Sequence, residues 1–143
     1  MMMIEVAEAA RELLGTRYQL GYSKPVVGCD CIGVIEHVWR TVRPDVPPLR
    51  EPVIDDYYND PRDLLLTGAR QHLQELDRPE VGAVLVFRIR ATPGCSHIGI
   101  CSEMENGQPH RLIHAHDGRM IRKVVETTLG ALWLPRLAGI FRL

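Results

Sequence analysis

Apolar residues recur with helical spacing from the start of the chain. Val6, Ala9, Ala10, Leu13 and Leu14 follow the i, i+3, i+4, i+7, i+8 pattern of an amphipathic helix. The charged residues fall mostly on the other face, and Gly15 predicts where the helix stops. Residues 16–29 follow no period and contain Gly21, Pro25 and Gly28, which predicts a loop. A second apolar stripe, Ile32, Ile35, Val38, Trp39 and Val42, predicts a helix running to about Arg43 with Asp30 as its N-cap. Pro44, Pro47, Pro48 and Pro52 bar its continuation, and the acidic, Pro-rich stretch 44–60 reads as a surface loop. Asp60-Pro61 predicts the start of a third helix, carried by Leu65, Ala69, Leu73 and Leu76.

After a turn at Pro79–Gly82 the pattern changes. Ala83–Phe87 is a short continuous apolar run, as expected of a buried strand, and a loop around Pro93-Gly94 follows it. Residues 97–103 and 110–116 flank Asn106-Gly107, a strong hairpin signal. Asp117-Gly118 predicts a second hairpin turn into a strand ending near Val125, and Ile140–Arg142 predicts a last short strand. Helices first and an antiparallel meander second imply an α+β fold rather than alternating βαβ units. With 143 residues and no repeats, the chain reads as one domain, 1–143. It is long enough to bury a core without disulfide staples.

Charge narrows the function. Seventeen Lys and Arg balance eighteen Asp and Glu, for a net charge of -1. A domain that binds nucleic acid normally carries a basic excess, so nucleic acid is not an expected partner. No apolar run reaches the ~18 residues of a membrane span. Glu5, Glu8, Arg11 and Glu12 interrupt any secretory apolar region, which predicts cytoplasmic synthesis without a signal peptide.

The four cysteines are Cys29, Cys31, Cys95 and Cys101. Cys95 and Cys101 lie near or in an apolar strand and read as small buried hydrophobes. The spacing lacks the paired Cys-x-x-Cys knuckles of a four-thiolate zinc site. Cys31 is different. It follows the N-cap, in the first turn of the second helix, where unsatisfied amides and the helix dipole favour a thiolate. It shares a face with Ile35 and Val38, and Gly33 leaves room beside it for a backbone or a substrate. The plain alternative is a buried thiol at a helix start.

Side-chain alternation puts His97, Gly99 and Cys101 on one strand face, and Leu112, His114 and His116 on the matching face of the return strand. A turn at Asn106-Gly107 pairs positions that sum to 213, which sets His97 opposite His116 and diagonal to His114. A diagonal pair lies about 7–8 Å apart, within reach of long side chains. Isolated histidines on strands are usually tolerated polar residues. Two on adjacent strands, facing a helix-start cysteine, supply a base and an orienting group for a nucleophile. A mixed zinc site of Cys31, His97, His114 and His116 is the competing reading, although no His-Glu-x-x-His pattern accompanies it.

Four segments together resemble the NlpC-type (p-sixty) cysteine peptidase family. Gly28-Cys29-Asp30-Cys31-Ile32-Gly33 is similar to its Asp-Cys-Ser-Gly motif, with Ile32 in place of the serine. Leu14-Gly15-Thr16-Arg17-Tyr18 resembles its Gly-Thr-Pro-Tyr segment, His97-Ile98-Gly99-Ile100 its His-Val-Gly-Ile motif, and Ile113-His114-Ala115 its Ile-His-Ala motif. Gly28–Trp39, Val84–Arg90 and Leu137–Leu143 look like the branch found in phage tails and gene-transfer agents.

The resemblance implies a papain-like α+β fold. It implies hydrolysis of peptidoglycan stem peptides, commonly between γ-D-glutamyl and diaminopimelyl residues, without a metal or other cofactor. By position, Cys31 is the nucleophile, His97 the base, His114 the orienting residue and Tyr18 a residue lining the site beside the oxyanion. It also implies phage-like tail proteins as partners and delivery to the cell wall by a particle. The rival from another class is a non-catalytic tail-assembly component that keeps the fold.

Overall fold

The computed structural model describes residues 3–47, 64–88 and 97–143. The elements in chain order are α1 (Met3–Arg11), β1 (Ser23–Lys24), β2 (Gly28–Cys29), α2 (Cys31–Val42), α3 (Leu64–His72), β3 (Gln74–Glu75), β4 (Val84–Phe87), β5 (His97–Glu105), β6 (Gln108–Asp117), β7 (Arg122–Thr128), a 3-10 turn (Leu134–Arg136) and β8 (Leu137–Arg142). The expected Pro-rich stretch beyond residue 47, the Asp60-Pro61 helix start, the Pro93-Gly94 loop and Cys95 lie outside the described residues.

Six strands form one antiparallel sheet in the order β3-β8-β4-β5-β6-β7. The α+β class holds, with three corrections. The strands from β4 to β7 do form a meander, but β8 returns to the far side of β4 instead of extending the meander. The third helix stops at His72, and Gln74–Glu75 pairs with Phe141 and Arg142 of β8. The first helix also ends earlier than its apolar stripe, at Arg11. Turns then carry the chain to Gly15, whose φ of +85° is the left-handed conformation that favours glycine.

Both faces of the sheet are covered, which explains why β4 reads as an unbroken apolar run. Val84, Val86, Ile98, Ile100, Ile113, Ala115, Val124 and Phe141 belong to a core that includes Val6, Ala10 and Leu13 of the N-terminal segment and Val34, Ile35 and Val38 of α2. Leu85, Phe87, Cys101 and Leu112 belong to a second core, with Leu129, Trp133, Leu134 and Leu137 of the segment leading into β8. Cys101 is buried there as expected, and burial pushes its thiol up to about 11. Among the described residues no helix is long and apolar enough to cross a membrane.

Candidate active site

The site forms at one end of the sheet. His116 of β6 pairs with Lys123 of β7. Arg17 bridges to Lys123, and Tyr18 bridges to Cys29. The segments 17–18 and 28–29 thereby continue the sheet outward by two short steps, and α2 begins directly after them.

Asp30 fixes that start. Its backbone is extended (φ -103°), and its Oδ1 accepts from the Gly33 amide at 2.6 Å, the expected N-cap bond. Its Oδ2 accepts from the Gly21 amide at 2.7 Å, so one carboxylate ties the preceding loop to the helix. Gly33 is required by that loop: a Cβ there would stand 2.1 Å from the Tyr22 carbonyl oxygen. The room beside Cys31 is therefore filled by backbone.

Cys31 opens α2 and is fully buried, in the core that covers the helix side of the sheet. Cys29, also buried, donates its thiol to the Asp30 carbonyl at 3.3 Å. Half-buried Tyr18 packs against the same core as Cys31. Its amide donates to the Arg122 carbonyl at 2.8 Å, and the Arg122 guanidinium lies 6.0 Å from its ring centre.

The imidazoles are coupled directly. His97 Nε2 and His114 Nδ1 are 2.6 Å apart, with the ring planes at 83°. His114 Nε2 lies 3.0 Å from Thr127 Oγ1 of β7. Trp133 stands against both rings, with centroids 5.7 Å from His97 and 5.9 Å from His114, and itself meets Phe87 edge-on. His97 is 7% exposed and His114 2%. Burial, then the neighbouring His114 and His116, holds His97 well below the usual histidine value. Burial, then His116, brings His114 down to about 4. At neutral pH both rings are thus neutral, and each has one donor and one acceptor nitrogen. Such a pair can take up a proton at one end while a hydrogen bond fixes the other.

The expected register holds at Ile100–Ile113 and Cys101–Leu112, is broken by a shift that pairs Glu103 with Arg111, and returns at Met104–Pro109 and Glu105–Gln108. His97 nevertheless reaches diagonally to His114, so motif and register are both satisfied. His116 instead donates its Nδ1 hydrogen to the Ile121 carbonyl at 3.2 Å. His97 faces the Phe87 and Trp133 side, whereas Cys31 belongs to the Ile98 and Ile113 side. Among the described residues no group of three or more His, Cys, Asp or Glu is placed to hold a metal ion.

Thr127 and Trp133 were not anticipated. An Asp117-Gly118 turn would have paired His116 with Arg119, leaving Thr127 well beyond His114. In the structure Asp117 pairs with Arg122, which brings Thr127 opposite Leu112 and beside His114. Trp133 belongs to no periodic segment and carries no local signal.

Helices over one face of an antiparallel sheet, with a thiol at a helix start and paired imidazoles on the strands, define a papain-like α+β architecture. Solved structures of similar fold include NlpC/p60 domains. The chain superposes on the NlpC/p60 domain of the peptidoglycan hydrolase SagA over 100% of both chains, with a TM-score of 0.63 at 15% identity. It matches NlpC1 from Trichomonas vaginalis with a TM-score of 0.65 at 18% identity, covering 98% of this chain and 43% of that one. It matches an NLP/P60-family lipoprotein-like protein from Staphylococcus aureus subsp. aureus Mu50 with a TM-score of 0.62 at 20% identity, covering 98% and 41%. The chain therefore spans less than half the length of the last two proteins. At these identities the likeness is one of fold. No protein-family model matches the sequence, and no curated protein matches it.

Proposed function

We propose that this chain is a cysteine peptidase that hydrolyses peptidoglycan stem peptides. The observation that carries the reading is the 2.6 Å His97–His114 pair, set at the end of the sheet where Cys31 opens α2. Two neutral imidazoles coupled through ring nitrogens beside a helix-start thiol suit general-base activation of that thiol. The fold shared with the SagA domain, described as part of a peptidoglycan hydrolase, supports the substrate class.

On this reading the Cys31 proton passes to His97, and the thiolate attacks the scissile carbonyl carbon. The oxyanion is stabilised by the Cys31 amide at the helix start and by Tyr18. Collapse breaks the C–N bond, and His97 returns the proton to the leaving amine. Water then attacks the thioester, with His97 again as base, and releases the acid. Because Cys31 is fully buried, peptide entry must part the packing at the α2 start. The bond cut is the γ-D-glutamyl–diaminopimelyl linkage, and the protein reaches the wall in a phage-like particle.

Complete burial of Cys31 favours one alternative, a non-catalytic component of such a particle. Incubation with purified muropeptides, followed by mass spectrometry, separates the two. Cleavage by the unsubstituted protein that survives EDTA and is lost in Cys31→Ala supports the peptidase. No cleavage at any protein concentration supports the structural component.

A further inference from the structure

Thr127 is the last polar contact in a line of side chains that crosses three strands: His97 on β5, His114 on β6 and Thr127 on β7. His114 is 2% exposed and flanked by Trp133, so each of its ring nitrogens depends on one partner. Which nitrogen of a neutral imidazole carries the proton is set by the hydrogen bond that the other nitrogen makes. If His114 Nε2–H donates to Thr127 Oγ1, then His114 Nδ1 is an acceptor and must receive Nε2–H from His97. That leaves the lone pair of His97 on Nδ1. The opposite arrangement puts hydrogens on both Nδ1 atoms and removes that lone pair. The first arrangement gives both rings the Nε2–H form, which a histidine imidazole intrinsically prefers.

We propose that Thr127 is a positioning residue that holds His114 in the Nε2–H tautomer, and so keeps His97 Nδ1 free to accept a proton. The catalytic meaning rests on the peptidase reading above; the tautomer itself does not. The half-exposed position of Thr127 at the end of β7 lets its own hydroxyl hydrogen point to water while the oxygen accepts from His114.

The test uses Thr127→Val, which keeps the shape and strand preference but removes the acceptor, and Thr127→Ser, which restores a hydroxyl. Long-range 1H–15N spectra distinguish a protonated ring nitrogen from a bare one. His114 should show a bare Nδ1 and a protonated Nε2 in the unsubstituted protein and in Thr127→Ser. In Thr127→Val the population should move toward Nδ1–H, because a buried N–H without a partner is the costlier of the two orphans. Muropeptide turnover should fall about tenfold in kcat with KM unchanged in Thr127→Val, and stay within about twofold in Thr127→Ser. An unchanged His114 tautomer in Thr127→Val overturns the proposal, as does a tautomer shift with full turnover. If the unsubstituted protein cleaves nothing, the peptidase reading fails, and the ring-nitrogen shifts alone decide the role of Thr127.

Discussion

Replacing His114 with glutamine should flatten the acid side of the stability profile. In the unfolded chain His114 titrates near 6.5; in the folded chain burial, then His116, brings it down to about 4. Below pH 6.5 the unfolded state therefore takes up a proton that the folded state refuses. Stability falls as the pH drops from about 6.5 to about 4, and the loss is complete below that. A separation of roughly 2.5 units is about 3.4 kcal/mol in full, of which about 2.5 kcal/mol is lost by pH 4.5. With a urea slope near ~2 kcal/mol/M, the midpoint of the unsubstituted protein should move about 1 M further than that of His114→Gln between pH 7.5 and 4.5. The carboxylates are common to both proteins, so the difference reports His114 together with its effect on the adjoining His97. Urea unfolding followed by circular dichroism at the two pH values gives the number. Equal midpoint shifts in the two proteins would refute the reasoning, because they would show that His114 does not stay neutral in the folded state.

Asp30→Ala should cost about 1–2 kcal/mol in chemical unfolding, because it removes the N-cap bond to Gly33 and the tether to Gly21 together; Asp30→Asn should recover part of this. Gly33→Ala should destabilise by about 1–3 kcal/mol in the same assay, because the new Cβ meets the Tyr22 carbonyl oxygen at 2.1 Å. His116→Ala should retain most muropeptide turnover, since His116 bonds the Ile121 carbonyl, while His114→Ala should lose much more. Kinetics in which His116→Ala is the poorer enzyme would make His116 the orienting residue.

What was legible in the sequence was local. The Asp30 cap and the α2 stripe are encoded within a few residues, and both stand in the structure. The Asn106-Gly107 turn set the register at the tip of the β5–β6 hairpin and again at Ile100 and Cys101, with one irregularity at Glu103 between them. That register alone favoured His116 as the partner of His97. An imidazole is long enough to make the diagonal contact instead, and the motif identified it. The failures were non-local. Leu73 and Leu76 keep a helical spacing, yet pairing with Phe141 and Arg142 draws Gln74–Glu75 into the sheet edge. Nothing near Ile140 tells that β8 returns beside β4. The four residues between Asp117 and Arg122, rather than a two-residue turn, determine that Thr127 meets His114. Alternation placed His97 and His114 on one face, but which face the helices cover depends on packing, and the helices cover the other one.

The thioester on Cys31 is the most direct test of the account. Purified protein is mixed with muropeptides and quenched in acid within the first turnover, and its peptides are then sequenced by mass spectrometry. The account predicts the acyl half of the stem peptide attached to the peptide carrying Cys31, its decay on return to neutral pH, and its absence in Cys31→Ala. Cleavage that proceeds in Cys31→Ala, or an acyl group attached to Cys29, would contradict it.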